Sequence, residues 1–112
     1  MENGLRAFVE QLVRLNGAMK ELFTSGNVEL FGEVNHAVKE LYKIQSVSEE
    51  PALVAIDEEC KIIYSNSDMI VKILRTTEDG VIDAGAQTAL NKFLHNIDRA
   101  VIDIAQTFGL VE

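Results

Sequence analysis

The 112-residue sequence predicts an α+β fold: an N-terminal antiparallel helix hairpin, a small antiparallel β-meander of two to four strands, and a long C-terminal amphipathic helix. Two observations predict it. Apolar residues recur every three or four positions up to residue 46 and again from residue 86, which is helical spacing. Between these regions, short runs rich in Val, Ile and Tyr alternate with polar clusters, a pattern typical of strands and turns. The length is that of a single domain, 1–112.

The N-terminal helices are predicted over 4–24 and 27–46. In the first helix the apolar positions step by three and four along Leu5, Phe8, Leu12, Leu15, Met19 and Leu22. The same rhythm continues in the second helix through Phe31, Val34, Val38 and Leu41. Gly26 accepts the left-handed conformation that ends a helix, and Asn27 can cap the next one. Because the connection is so short, we expect the two helices to pack antiparallel.

The middle segment contains two apolar runs on either side of the acidic cluster Asp57-Glu58-Glu59, and this pattern predicts a β-hairpin. The full meander has strands at 52–57, 60–66, 69–76 and 80–84. A helical interpretation stays open, because short apolar runs do not distinguish strand from helix by period alone. In that interpretation Pro51 starts a helix behind a Ser48 cap, and Ser67 caps a second helix at 68–76.

The C-terminal helix is predicted from Ala86 to the stop at Gly109, about 24 residues or roughly 36 Å. In this helix, as in the first, the apolar stripe is wider than the two positions per heptad that pack against a single neighbouring helix. More than one neighbour is therefore needed to bury it. Contiguous apolar surface usually marks an interface, so we expect a homodimer built on the first or last helix. The residues predicted to form its interface are Val9, Val13, Leu94, Val101 and Ile102.

Composition narrows the class of protein. The net charge is −8, from 18 acidic and 10 basic residues, and no cluster of Lys and Arg offsets it. Nucleic acid and anionic membranes are therefore not expected partners. Cys60 is the only cysteine, which excludes an internal disulfide and fits a reducing compartment. With no apolar run near the roughly 20 residues of a membrane span and no signal-like N-terminus, we expect a soluble, cytoplasmic protein.

His36 lies in the stretch EVNHAVKELY, on the predicted face opposite the apolar stripe of its helix. The run His36-Ala37-Val38-Lys39 resembles the histidine-x-x-lysine core of histidine phosphotransfer domains. The resemblance implies a four-helix bundle in which His36 accepts the phosphoryl group and Lys39 steadies it. Glu40 and the residues after it stand where that family has small residues, and the predicted β-hairpin conflicts with a bundle.

Other chemistry-bearing residues do not combine into a recognisable centre. Glu33-x-x-His36 has the carboxylate–imidazole spacing of di-iron bundles, but such sites need two inward-facing copies and two further carboxylates. Cys60 follows three acids, and negative charge raises the pKa of a thiol and so lowers its reactivity. We therefore expect no enzymatic activity, no cofactor and no metal.

These observations together predict a small acidic cytoplasmic protein that forms a homodimer and acts by binding another protein or peptide. One alternative is an accessory role, because small size, low isoelectric point, a helix–sheet–helix plan and dimerisation resemble the acidic chaperones of bacterial type III secretion. The other alternative is phosphotransfer through His36.

Overall fold

The computed structural model describes residues 3–27, 29–76 and 82–109, and every regular element in these ranges is an α-helix. The helices are α1 (Asn3–Ser25), α2 (Leu30–Val47), α3 (Pro51–Ala55), α4 (Asp57–Thr76) and α5 (Ala84–Thr107). The described residues contain no strand, so the predicted α+β class with a β-meander is wrong, and the fold is all-α.

The N-terminal hairpin lies where the helical spacing predicts it. Gly26 ends α1 with a φ of 68°, and its N–H donates to the Leu22 carbonyl at 2.8 Å. The Asn27 side-chain oxygen accepts from the N–H of Glu29 at 3.1 Å. This bond satisfies a backbone donor in the turn before α2. The expected cap by Asn27 is not formed, because Glu29 is the residue at the helix start and no side chain caps it.

The segment predicted as a meander, 52–84, contains most of α3 and all of α4. Its core residues recur with helical spacing, at Leu53, Ile56, Cys60, Ile63, Ser67 and Ile70. Ile63 is fully buried, whereas the adjacent Ile62 is 44% exposed. The strand preference of Val and Ile is a weak one that depends on the surface available for packing, and here the available surface is a groove between helices. The last predicted strand is described only from residue 82, where Ile82 and Asp83 lead into α5 without strand pairing.

The helical interpretation of this segment is correct in part. Pro51 occupies the first turn of α3, where its missing N–H costs nothing. Ser67 does not cap a helix but lies buried inside α4. Asp57, predicted in a turn with the two acids after it, instead opens α4, where carboxylates are favourable against the helix dipole. Its carboxylate also pairs with Lys61 at 3.0 Å.

The four long helices form an antiparallel bundle in which α1 packs along α2 and α4 packs along α5. The two hairpins meet through sparser contacts between α2 and α4 and between α1 and α5. Phe8, near the start of α1, lies edge-on to Phe108 beyond the end of α5, with ring centroids 6.4 Å apart. Near the other end, Phe23 stacks on His95 at 5.0 Å. Open grooves therefore run along the surface where the hairpins meet.

Polar side chains tie the helices together at specific points. Gln45 of α2 donates to the Leu53 carbonyl at 3.2 Å and accepts from the Tyr64 hydroxyl at 2.6 Å, which joins three helices. Asp83 caps α5, since its carboxylate accepts from the Ala86 N–H at 2.7 Å. Within the described part of the chain, no helix has the length and apolarity to cross a membrane.

Candidate functional site

The first candidate site is the surface between α1 and α5, here called the α1–α5 face. Three large apolar side chains are exposed along it: Val13 at 62%, Ile102 at 43% and Phe23 at 40%. They surround a groove of about 380 Å³ whose lining also includes Lys20 of α1 and Asp98 of α5. This face therefore combines an apolar centre with one charge of each sign.

The structure separates the predicted interface residues. Val13 and Ile102 lie on the α1–α5 face, and Val9 is half-buried. Val101 is buried and lines the same groove, whereas Leu94 is 2% exposed and belongs to the core. Phe23 was missed, although a signal existed: the groove residues of α1 step by three and four along a second row, at Val13, Asn16, Lys20 and Phe23.

The second candidate site surrounds His36, whose side chain is 71% exposed near the middle of α2. Its Nε2 atom lies 3.8 Å from a Glu40 carboxylate oxygen, and that same oxygen lies 3.6 Å from Lys43 Nζ. Lys39, one turn further along, is exposed but lines the groove between α2 and α4. The structure therefore does not place His36 and Lys39 in one groove.

His36 lines a groove of about 570 Å³ between α1 and α2. Gly17 of α1 and Gly32 of α2 line the same groove, and a Cβ atom added to either would meet nothing within 4 Å. Close packing of α1 on α2 therefore does not explain these helical glycines. The side-chain oxygen of Gln11, also in this groove, is buried without a hydrogen-bond partner.

Cys60 is fully buried beside Tyr64, and this environment makes its thiol unreactive. Burial raises the pKa of the Cys60 thiol to about 11, and the nearby carboxylates of Asp57 and Glu59 add to the rise. Burial, together with Cys60, also raises the pKa of the Tyr64 hydroxyl. Because the thiolate is the nucleophile, the structure assigns Cys60 to packing.

Among the described residues, no three His, Cys, Asp or Glu side chains are grouped closely enough to hold a metal ion. In comparisons with protein-family models, with curated proteins and with solved structures, nothing matched this chain. The arguments that follow therefore depend on the geometry of the bundle and its surface.

Proposed function

We propose that this chain is a non-enzymatic protein-binding module of the cytoplasm that forms a homodimer through the α1–α5 face. The observation that carries this proposal is the exposure of Val13, Phe23 and Ile102 around one groove. Single exposed apolar side chains are ordinary, but a contiguous apolar patch marks a surface that another molecule covers. The lone free thiol of Cys60 supports the cytoplasmic assignment.

The dimensions of this face suit a second copy of the chain. Helices of 23 and 24 residues are about 35 Å long, and two of them side by side about 10 Å apart present roughly 700 Å². A stable interface buries about 800 Å² per partner. In a two-fold dimer the same patch meets itself, so Lys20 of one copy can pair with Asp98 of the other.

The oligomeric state tests the homodimer directly. Light scattering after size-exclusion chromatography, over a series of protein concentrations, should show a dimer for the wild type and a monomer for Val13→Lys/Ile102→Lys. Val47→Lys/Val54→Lys is the matched control, because these valines are also exposed but lie outside the α1–α5 face. The control should stay dimeric, and circular dichroism should show both variants to be helical. A wild-type monomer at tens of micromolar would overturn the homodimer.

The accessory role is not favoured by the bundle. The resemblance to secretion chaperones depended partly on a helix–sheet–helix plan, and every regular element among the described residues is a helix. Small size and acidity are the features of this resemblance that are left.

A second candidate, phosphotransfer through His36, is favoured by one observation. The four long helices of the described residues form a bundle with His36 exposed near the middle of the second one, and the resemblance implies this architecture. The glycines that line the groove next to His36 also leave room for an approaching protein, although Glu40 stands where the family has a small residue. The Glu40 carboxylate disfavours a phosphoryl group nearby, but its charge is shared with Lys43.

Intact mass spectrometry of protein purified from its own host tests this candidate. Phosphorylation adds about 80 Da, and a phosphohistidine is lost on brief acid treatment. The added mass should disappear in His36→Gln and persist in His95→Gln, the control for the other histidine of the chain. Protein without acid-labile phosphate would remove phosphotransfer from consideration and leave the binding module unaffected.

A further inference from the structure

A third groove, of about 470 Å³, lies between α2 and α4 and is here called the α2–α4 groove. Apolar surface from Val38 and Val71 forms part of its lining. Tyr42 is 58% exposed at this groove and meets the ring of Tyr64 edge-on, with centroids 5.3 Å apart. An exposed aromatic ring held by a second ring is a rigid contact surface, of the kind enriched in protein interfaces.

The charge of this groove is opposite to that of the chain. Its charged lining residues are three cations and one carboxylate: Lys39, Lys43, Arg75 and Asp68. Asp68 is paired with Lys72 at 3.2 Å, and Lys43 lies 3.6 Å from Glu40. Lys39 and Arg75 have no ion pair among the described residues. A chain with a net charge of −8 thus presents a locally positive groove, in which two cations are not paired within the described part of the chain.

Neither of the two grooves described above, at the α1–α5 face and between α1 and α2, has this character. In the groove of the α1–α5 face, the charges of Lys20 and Asp98 cancel. The α1–α2 groove carries Arg14 against two carboxylates. The positive charge of the α2–α4 groove is therefore a local property, and charge complementarity predicts an anionic ligand there.

A buried polar group adds to the recognition surface of the α2–α4 groove. Ser67 is 4% exposed, and its hydroxyl lies 3.5 Å from the Asn35 side-chain oxygen, at the outer limit of a hydrogen bond. Both residues line the groove. The weak contact between Ser67 and the half-buried Asn35 therefore places polar groups at the floor of the groove.

We propose that the α2–α4 groove binds an acidic amphipathic helix of a partner protein. Carboxylates of that helix pair with Lys39 and Arg75, and its apolar side chains cover Val38, Val71 and the Tyr42 ring. This inference rests on the proposed protein-binding function and names the chemistry of the partner. A groove between two helices is a common receptor for such a segment, which presents its anchors at three- and four-residue spacing.

The spacing of the two cations specifies the ligand further. Asn35 of α2 lies opposite Ser67 of α4, and Gln45 lies opposite Tyr64, so the two helices are antiparallel. Lys39 is about 6 Å along α2 from Asn35, and Arg75 is about 12 Å along α4 from Ser67 in the opposite direction, at 1.5 Å per residue. The cations are therefore about 18 Å apart along the groove, which corresponds to carboxylates about 11 or 12 residues apart on a helix.

Selection from a phage-displayed library of random 16-residue peptides tests the proposal without knowledge of the natural partner. Wild-type protein should enrich peptides that combine acidic residues with apolar residues at helical spacing. Fluorescence anisotropy of the synthetic peptides should then show at least about tenfold weaker binding to Lys39→Glu/Arg75→Glu, since two attractions become repulsions. Lys92→Glu/Arg99→Glu, with the same change of charge on exposed positions of α5, is the matched control and should bind like the wild type.

A charge exchange strengthens the test. Replacing the peptide carboxylates by lysine should abolish binding to wild type and restore it with Lys39→Glu/Arg75→Glu. The proposal is overturned if no peptide is enriched, if the enriched peptides are neutral or basic, or if the reversed variant binds them as tightly as wild type.

Light scattering on Lys39→Glu/Arg75→Glu separates this proposal from the homodimer. The variant should remain dimeric, because the α1–α5 face is unchanged. A monomer would mean that a second copy of the chain occupies the α2–α4 groove, which overturns the acidic-partner proposal. Conversely, a monomeric wild type that binds acidic peptides would overturn the homodimer alone.

Discussion

Gly17 and Gly32 are the two exposed glycines inside the helices of the N-terminal hairpin, and replacing both by alanine should stabilise the protein. Gly17 and Gly32 lie inside α1 and α2, and a Cβ atom at either position would meet nothing within 4 Å. Neither has the positive φ of Gly26, so alanine fits both positions without backbone strain. A helical glycine costs up to about 1 kcal/mol relative to alanine, so Gly17→Ala/Gly32→Ala should raise the free energy of unfolding by about 1–2 kcal/mol.

Urea denaturation followed by circular dichroism measures this gain. It is done at one fixed protein concentration, because the stability of the proposed homodimer depends on concentration. For a domain of this size the gain also raises the Tm by about 4 °C or more per kcal/mol. Gly26→Ala is the control and should lower stability by roughly 1 kcal/mol, because its φ of 68° strains any residue with a Cβ atom.

A Gly17→Ala/Gly32→Ala variant that is no more stable than wild type would refute the reasoning, since it would mean that the methyl groups meet an obstacle or that the helices do not run through these positions. The same variant bears on His36, which lines the same groove. If a receiver protein approaches His36 over the glycines, the variant should be stabilised yet carry less acid-labile phosphate.

Three further predictions address the core, a helix cap and the dependence on pH. Ile63→Ala should lower the free energy of unfolding by about 2–5 kcal/mol and Ile62→Ala by less than about 1 kcal/mol, because Ile63 is buried and Ile62 is exposed. Equal losses in urea denaturation would contradict the orientation of α4. Asp83→Ala should lower the free energy of unfolding by about 1 kcal/mol, because it removes the 2.7 Å hydrogen bond that caps α5. Asp83→Asn keeps an acceptor and should lower it little. An equal loss in both variants would argue against the cap. The pKa of Cys60 is raised from 9.0 to about 11 in the folded protein, so the unfolded chain ionises first and stability should fall between pH 9 and pH 11. That fall, at most about 2–3 kcal/mol, should be smaller in Cys60→Ala, whose unfolding is measured in the same pH series.

The part of the structure that the sequence predicts depends on interactions between residues that are near one another in the sequence. Gly26 ends α1 with a left-handed residue, and the three-and-four spacing of apolar side chains places α1, α2 and α5. The exposure of Val13 and Ile102 is also local in origin, because the apolar stripes of their helices are too wide for the available neighbours. The burial of Leu94 could not be predicted in this way, because it depends on which side of α5 faces the other helices.

Tertiary packing determined the helical structure in the middle of the chain and the composition of the α2–α4 groove. Val54 and Ile62 favour strands locally, and a short apolar run has no period long enough to override that preference. Packing of α4 against α2 and α5 selects the helix, because it buries one row of α4 side chains from Cys60 to Ile70. In a strand, the members of this row would be divided between two faces. Lys39 and Arg75 are 36 positions apart in the sequence, and only this packing places them along one groove.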